Sequence, residues 1–351
     1  MSKNQTFSAI DLFSGAGGMS LGFSMAGFNI LYALDNDSAC IETYNKNLGN
    51  HGHVGDIYEI NKTVIEETIS RKIDGLDVIF GGPPCQGFSV QRRGEDNDPR
   101  NQLVMEYIRL VLEVQPKFFV MENVAGLLST RGKPVLKQLE QQCEKAGYVI
   151  HIQKLNAFDF GVPQVRKRVF IVGEKTEGVF TKFTFPDHTR PFTNTPSTVR
   201  EAISDLMITT DDETIHNHKA DKLSPINLER IRSITEGQGR DSLPEHLQLD
   251  CHKNNSTHRH LDVYGRMAWD KPSSTITARF DSFSRGRFGH PELDRTITLR
   301  EGARLQTFPD DYIFYGTKVQ AAKQIGNAVP PLLAKAIAAK IKEILLAEGD
   351  G

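Results

Sequence analysis

Cys85 stands in Asp77-Val-Ile-Phe-Gly-Gly-Pro-Pro-Cys-Gln-Gly-Phe-Ser89, where an apolar run ends in two glycines and two prolines and then presents a thiol. The prolines stiffen the backbone, and the glycines leave room beside it. A loop cysteine beyond the carboxyl end of a sheet strand is where α/β enzymes build their sites. Cys85 is therefore a candidate nucleophile, weighed against the more common role of a small buried hydrophobe. The polar stretch 91–100 (QRRGEDNDPR) is either a lid over such a site or an ordinary solvated loop. A carboxylate, Glu122, closes the apolar run Phe118-Phe-Val-Met121. Desolvation at that position can raise its pKa and let it hold a proton for an acceptor; the alternative is a solvated strand end. Gln164, Arg166 and Arg168 alternate in VPQVRKRVFIVG, so a strand would place all three on one face. That face is either a source of positive charge for a site or a salt-bridged surface.

A second constellation lies at the N-terminus. Asp11-Leu-Phe-Ser-Gly-Ala-Gly-Gly-Met-Ser20 follows a strand-like run and opens a helical one. Its glycines allow a tight turn and close approach of a ligand to backbone amides. Asp35, at the end of the next strand-like run, is placed to take ribose hydroxyls, and Asp56 in Gly55-Asp-Ile57 to reach a base. The segment reads as a nucleoside site or as a plain turn. It is no phosphate loop, because the Gly-Lys-Ser/Thr ending is missing.

The elements that must position these residues alternate between strand and helix. Strands are expected at 7–13, 30–34, 76–80, 117–121, 148–155 and 168–172, with a possible short one ending at Asp56. Helices are expected at 19–25, 39–48, 103–114 and 135–146. The order implies a largely parallel sheet with helices on both faces. The pattern dissolves after about Glu174, and a strongly amphipathic helix returns at 331–346. The expected fold class is α/β: a domain over 1–178, completed by 322–351, and a smaller irregular domain over 179–321.

At 351 residues the chain suits two modest domains, and 25% charged with 38% hydrophobic residues excludes wholesale disorder. No apolar run is long enough for a membrane helix, and no secretory signal is visible. Cys40, Cys85, Cys143 and Cys251 form no CxxC pair, which argues against a zinc ribbon or disulfide scaffold and for a reducing, intracellular setting. His258, His260 and His290 lack metal-site spacing, so no metal is expected. With 42 basic and 44 acidic residues, bulk charge does not hold nucleic acid; a local patch must. Residues 201–250 carry 11 acidic and 5 basic side chains, and 255–304 carry 9 basic and 6 acidic.

Taken in order, the motifs DLFSGAGG, ALDND, GDI, GGPPCQGFS, MENVAGLL, the QxRxR run, RTITLREGARLQTFPD from Arg295 and QIGNAVPP from Gln324 resemble the cytosine carbon-5 DNA methyltransferases of bacterial restriction-modification type. The resemblance covers the chain except its middle. It implies a Rossmann-like domain that uses S-adenosyl-L-methionine as methyl donor, leaving S-adenosyl-L-homocysteine, and a target-recognition domain. The pocket it implies comprises Phe13, Ser14, Gly15, Ala16, Gly17, Gly18, Asp35, Asn36, Asp56, Ile57, Pro84, Leu103, Asn327 and Val329. Phe13 would stack on adenine, Asp35 hold the ribose and Asp56 the adenine amino group. Most members carry Glu where this chain has Asp35, one methylene shorter. The implied catalytic set is Cys85, Glu122, Arg166 and Arg168. Cys85 would attack carbon 6 of a flipped-out cytosine, Glu122 serve ring nitrogen 3, Arg168 hold the carbonyl oxygen, and Arg166 support the loop and a phosphate.

The implied partner is double-stranded DNA, read through about 180–290, where Arg259, Arg266, Arg279, Arg285 and Arg287 are the side chains of interest. A cognate restriction endonuclease acting on the same site without stable binding, a monomeric state and a cytoplasmic, nucleoid-associated location complete the expectation. A tRNA cytosine methyltransferase of the same family and a catalytically silent DNA-binding protein are the alternatives.

Overall fold

The computed structural model describes residues 6–84, 102–176, 182–187, 197–207, 214–253 and 262–349. Cys85, the 91–100 stretch, His258, Arg259 and His260 lie outside them. The chain divides into two units. The first comprises 1–160, 167–191 and 329–351; the second comprises 161–166 and 192–328.

The first unit is built on strands and helices in alternation: β1 (Phe7–Leu12), α1 (Gly18–Met25), β2 (Phe28–Asp35), α2 (Ser38–Leu48), β3 (Gly52–Val54), α3 (Lys62–Ile69), β4 (Val78–Gly81), α4 (Gln102–Val114), β5 (Phe118–Asn123), α5 (Lys133–Lys145), β6 (Tyr148–Asn156) and β7 (Lys167–Lys175). The strands form one seven-stranded sheet in the order β3-β2-β1-β4-β5-β7-β6. The first five are parallel, whereas β7 runs antiparallel to both β5 and β6. Burial on both faces explains the unbroken apolar runs of β4 and β5, which no period-2 pattern would give. In α4 the buried residues Val104, Tyr107, Ile108, Val111 and Val114 recur at helical spacing and pack into the core under the sheet. Helix α3 was not expected. Its apolar face is short, but Asn61 caps it by accepting from the Val64 amide at 2.9 Å, and that cap was legible.

In the second unit the described residues form helices α6 (Val199–Ile203), α7 (Pro225–Arg232), α8 (Asp250–Lys253), α9 (Leu299–Leu305) and α10 (Lys318–Asn327). No named strand occurs among them, and the bridges Gln164–Ser273, Arg266–Gly289 and Gly289–Thr296 are isolated. A small core of Ile231, Ile234, Leu243, Tyr264 and Phe283 anchors its centre. The chain then returns to the first unit in α11 (Pro331–Gly349). That helix lies against α1 so closely that a Cβ on Gly22 would meet the Pro331 carbonyl at 2.5 Å and the Ala334 Cβ at 2.6 Å. Of the described helices, none is long and apolar enough to cross a membrane.

Candidate active site

Two groups of residues meet the carboxyl ends of the parallel strands. The first is the turn between β1 and α1. Phe13, Gly15 and Gly17 all have positive φ (62°, 53° and 87°), a conformation costly for Phe13 and free for the glycines. The turn is fixed from both sides: the Ser14 amide donates to the Leu34 carbonyl, and the Gly17 amide to that of Ser14, each at 2.9 Å. Asp35 organises it further. Its Oδ2 accepts from the Gly15 amide at 2.8 Å and its Oδ1 from the Asp37 amide at 2.9 Å. A carboxylate oxygen has two lone pairs, so each atom can accept more than one bond.

Beneath the turn Asp11 is buried and accepts from Ser20 Oγ at 2.6 Å; Ser20 Oγ in turn accepts from Tyr44 Oη at 2.9 Å. Burial holds the Asp11 carboxyl well above the ordinary carboxylate range, against the opposing Ser20 bond. Neither Ser20 nor Tyr44 was singled out from sequence; a serine three residues after a Gly17 N-cap carried no signal of its own.

The turn fits a nucleoside-bearing methyl donor. Among the described residues Ser14 Oγ is buried without a hydrogen-bond partner, and nothing but Gly15 and its chain neighbours lies within 4 Å of where a Gly15 Cβ would stand. Ala16, Gly17 and Gly18 are buried around that opening. Asp56 is exposed, with Oδ1 accepting from the Tyr58 amide at 3.1 Å, and Ile57 beside it is buried. Asn36 and Pro84 are exposed, and Leu103 is half-buried at the start of α4. Val329 lies in the first unit and Asn327 in the second.

The second group lies on β4, β5 and β7. β4 pairs with β5 so that Gly81 faces Met121, which brings Glu122 beside Gly82. A Cβ on Gly82 would stand 3.2 Å from Glu122 Oε2, so the glycine leaves the carboxylate its place. Glu122 Oε1 meets Arg168 Nε at 2.8 Å, with both side chains mostly enclosed. The antiparallel β5–β7 register, with Glu122 opposite Phe170, makes this meeting possible. The neighbouring Asn123 donates from Nδ2 to the Pro83 carbonyl at 3.1 Å, which ties the proline loop to the end of β5. Sequence reading missed Asn123, although its place directly after Glu122 was the available signal. The loop so held leads within two residues to Cys85, which lies outside the described residues.

One expectation is corrected. Gln164, Arg166 and Arg168 do not share a strand face, because β7 begins only at Lys167. Arg166 belongs to the second unit and is 1% exposed. Its guanidinium donates to the carbonyls of Ile276 at 2.9 Å and Gly326 at 3.1 Å. So enclosed, it ties the loop at Ile276 to the end of α10 and is not placed to reach a phosphate. Gln164 is likewise internal, donating to the Leu305 carbonyl and to Gln306 Oε1.

A seven-stranded α/β sheet with a glycine turn after its first strand and an acid–guanidinium pair at neighbouring strand ends is a Rossmann-like architecture. Comparison with known proteins narrows this. The family of C-5 cytosine-specific DNA methylases matches residues 7–343. The chain belongs to that family and is a DNA cytosine-5-methyltransferase. It is 39% identical over 339 residues to the type II methyltransferase M1.HphI of Haemophilus parahaemolyticus, covering 94% of this chain and 85% of that one. It is 36% identical over 355 residues to the type II methylase M.HgiDII of Herpetosiphon aurantiacus, covering 96% and 95%. Among solved structures, a protein described as a DNA modification methyltransferase encoded within an E. coli prophage superimposes with a TM-score of 0.75 at 28% identity, covering 97% of this chain and 99% of that one.

Proposed function

We propose that this enzyme transfers a methyl group from S-adenosyl-L-methionine to carbon 5 of a cytosine flipped out of a specific duplex sequence, through a covalent bond from Cys85 to carbon 6. The observation that carries the reading is the Glu122–Arg168 pair beside Gly82, at the root of the loop that leads to Cys85. Bound S-adenosyl-L-methionine supplies an electrophilic methyl group. Carbon 5 of cytosine is a weak nucleophile, and thiolate addition at carbon 6 turns the ring into an enamine that can accept that methyl. Glu122 serves ring nitrogen 3 as charge develops there, and Arg168 steers Glu122 while offering its remaining N–H groups to the carbonyl oxygen. Water takes the carbon-5 proton, the carbon 5–carbon 6 double bond re-forms, the bond from carbon 6 to sulfur breaks, and Cys85 leaves as thiolate. The target atom is closed off inside a duplex, which is why the base must leave the stack.

Asp35 takes the ribose with its carboxylate, Phe13 the adenine, and Ser14 Oγ finds in the donor the partner it lacks among the described residues. Asp56, Asn36, Ile57, Pro84, Leu103, Asn327 and Val329 are the remaining contacts proposed. The type II names of the relatives support a modification enzyme whose site is shared with a restriction endonuclease; action as a monomer in the cytoplasm completes the proposal. Tritiated methyl transfer to duplex DNA and to tRNA, followed by bisulfite sequencing, tests the reading. Label in tRNA alone, or in neither, would overturn it.

A further inference from the structure

The arginines of the second unit sort by what their guanidinium groups already hold. Arg266 is buried and donates to the carbonyls of Ile231, Ile234, His290 and Leu293 and to Asp294. Arg287 bonds the carbonyls of Gly237 and Gln238 and pairs with Asp262 at 3.0 Å. Arg266 is an internal brace, and the half-buried Arg287 is likewise engaged by the protein's own acceptors. Arg279 and Arg285 differ. Both are exposed, and Arg285 makes no ion pair among the described residues.

These two sit on a segment locked from below. Phe280, Phe283 and Phe288 are each 2% exposed or less, and Phe283 opens the short 3-10 turn, 283–285, that carries Arg285. Between the anchors, Ser282 Oγ and Ser284 Oγ stand 3.1 Å apart, so the outer edge offers hydroxyls as well as cations. Arg279 is oriented: its Nε donates at 3.0 Å to Asp281, whose side chain is itself only 7% exposed. That bond tethers the guanidinium through Nε and leaves its two terminal nitrogens without a bond among the described residues. A planar fork held in one orientation matches O6 and N7 of guanine, whereas a mobile, untethered cation suits a phosphate.

Resting on the function proposed above, we propose that segment 279–285 is a DNA-reading edge. Arg279, positioned by Asp281, reads a guanine in the major groove, and Arg285 neutralises a backbone phosphate.

The test compares wild type with Arg279→Ala, Asp281→Ala and Arg285→Ala on a plasmid library carrying randomised sites, read by bisulfite sequencing. Duplex affinity is measured in parallel as a function of salt by fluorescence anisotropy, on a random-sequence duplex without methyl donor. Arg279→Ala relaxes the preference at one G·C pair by roughly 5- to 150-fold. Asp281→Ala relaxes the same pair with the salt slope unchanged. Arg285→Ala weakens all sites alike and reduces the slope of log affinity against log salt by about 0.9. A preference unaltered in Arg279→Ala overturns its reading role, and an unaltered slope in Arg285→Ala overturns the phosphate contact. A drop in melting temperature of several degrees in either arginine variant would make that residue a brace and overturn its assignment. Wild type that binds duplex but methylates nothing sinks the catalytic reading, and the salt slopes still decide the phosphate contact.

Discussion

The two units satisfy their backbones by different means. In the first, seven strands pair along their lengths, and the buried peptide groups of β4 and β5 find partners in the ladder itself. In the second, where strand pairing is confined to isolated bridges among the described residues, buried arginines do that task. Arg166, Arg266 and Arg300 are each 5% exposed or less, and among them they donate to carbonyls of Ile276, Gly326, Ile231, Ile234, His290, Leu293, His216, Pro309 and Tyr312. A guanidinium carries five N–H groups on a rigid plane, so one side chain can close several loops at once. The difference teaches that a basic, irregular region is not by its composition a nucleic-acid surface. Part of its positive charge is internal mortar.

Three variants press on this contrast. The largest effect is expected in the first unit, at chemistry rather than stability. Glu122→Gln removes the group that serves the ring nitrogen and should lower kcat/KM by about 10²- to 10⁴-fold, with the melting temperature near that of wild type. A rate within threefold of wild type would remove Glu122 from the mechanism. Next, Arg266→Met takes the guanidinium from the carbonyls of Ile231, Ile234, His290 and Leu293, while Asp294 keeps its pair with Arg232, and should cost about 1–3 kcal/mol. Hydrogen exchange should locate the lost protection in residues 231–294, and an unchanged denaturation midpoint would refute the bracing role.

The third variant sharpens the contrast through pH. His290 is fully buried, and its Nδ1 accepts from the Glu292 and Leu293 amides at 3.2 and 3.0 Å. Burial, with Glu301 opposing and Arg295, Arg266 and His218 adding to it, lowers its pKa from 6.5 to about 4. The folded value lies below the unfolded one, so the stabilisation is complete above pH 6.5 and is lost as pH falls toward 4. The loss amounts to about 3 kcal/mol at most. His290→Asn keeps an acceptor for the two amides and should flatten that part of the stability profile. An identical profile in the variant would show that other groups set the acid limit.

Much of the first unit was legible because its signals are local. Buried strands read as apolar runs, helices as apolar residues at three- and four-residue spacing, and the Gly15–Gly18 turn as punctuation between them. The antiparallel turn of β7 against β5 was not legible, since pairing direction depends on where the chain returns. Yet that return is what brings Arg168 to Glu122. Arg166 was misread for a related reason: a period of two in sequence predicts a shared face only if the strand extends that far, and β7 begins one residue too late. The sorting of Arg266 and Arg287 from Arg279 and Arg285 lay beyond sequence altogether, because the four differ in which distant carbonyls reach them and their neighbours in sequence do not record that.

The central claim is that Cys85 is the nucleophile, and a target cytosine carrying fluorine at carbon 5 tests it most directly. After methyl transfer, fluorine cannot leave as a proton, so elimination stalls and the thioether persists. The account predicts a denaturation-resistant protein–DNA adduct that forms only with S-adenosyl-L-methionine present and maps by peptide sequencing to Cys85. An adduct on Cys40, Cys143 or Cys251, or no adduct from an enzyme that methylates ordinary DNA, would contradict it.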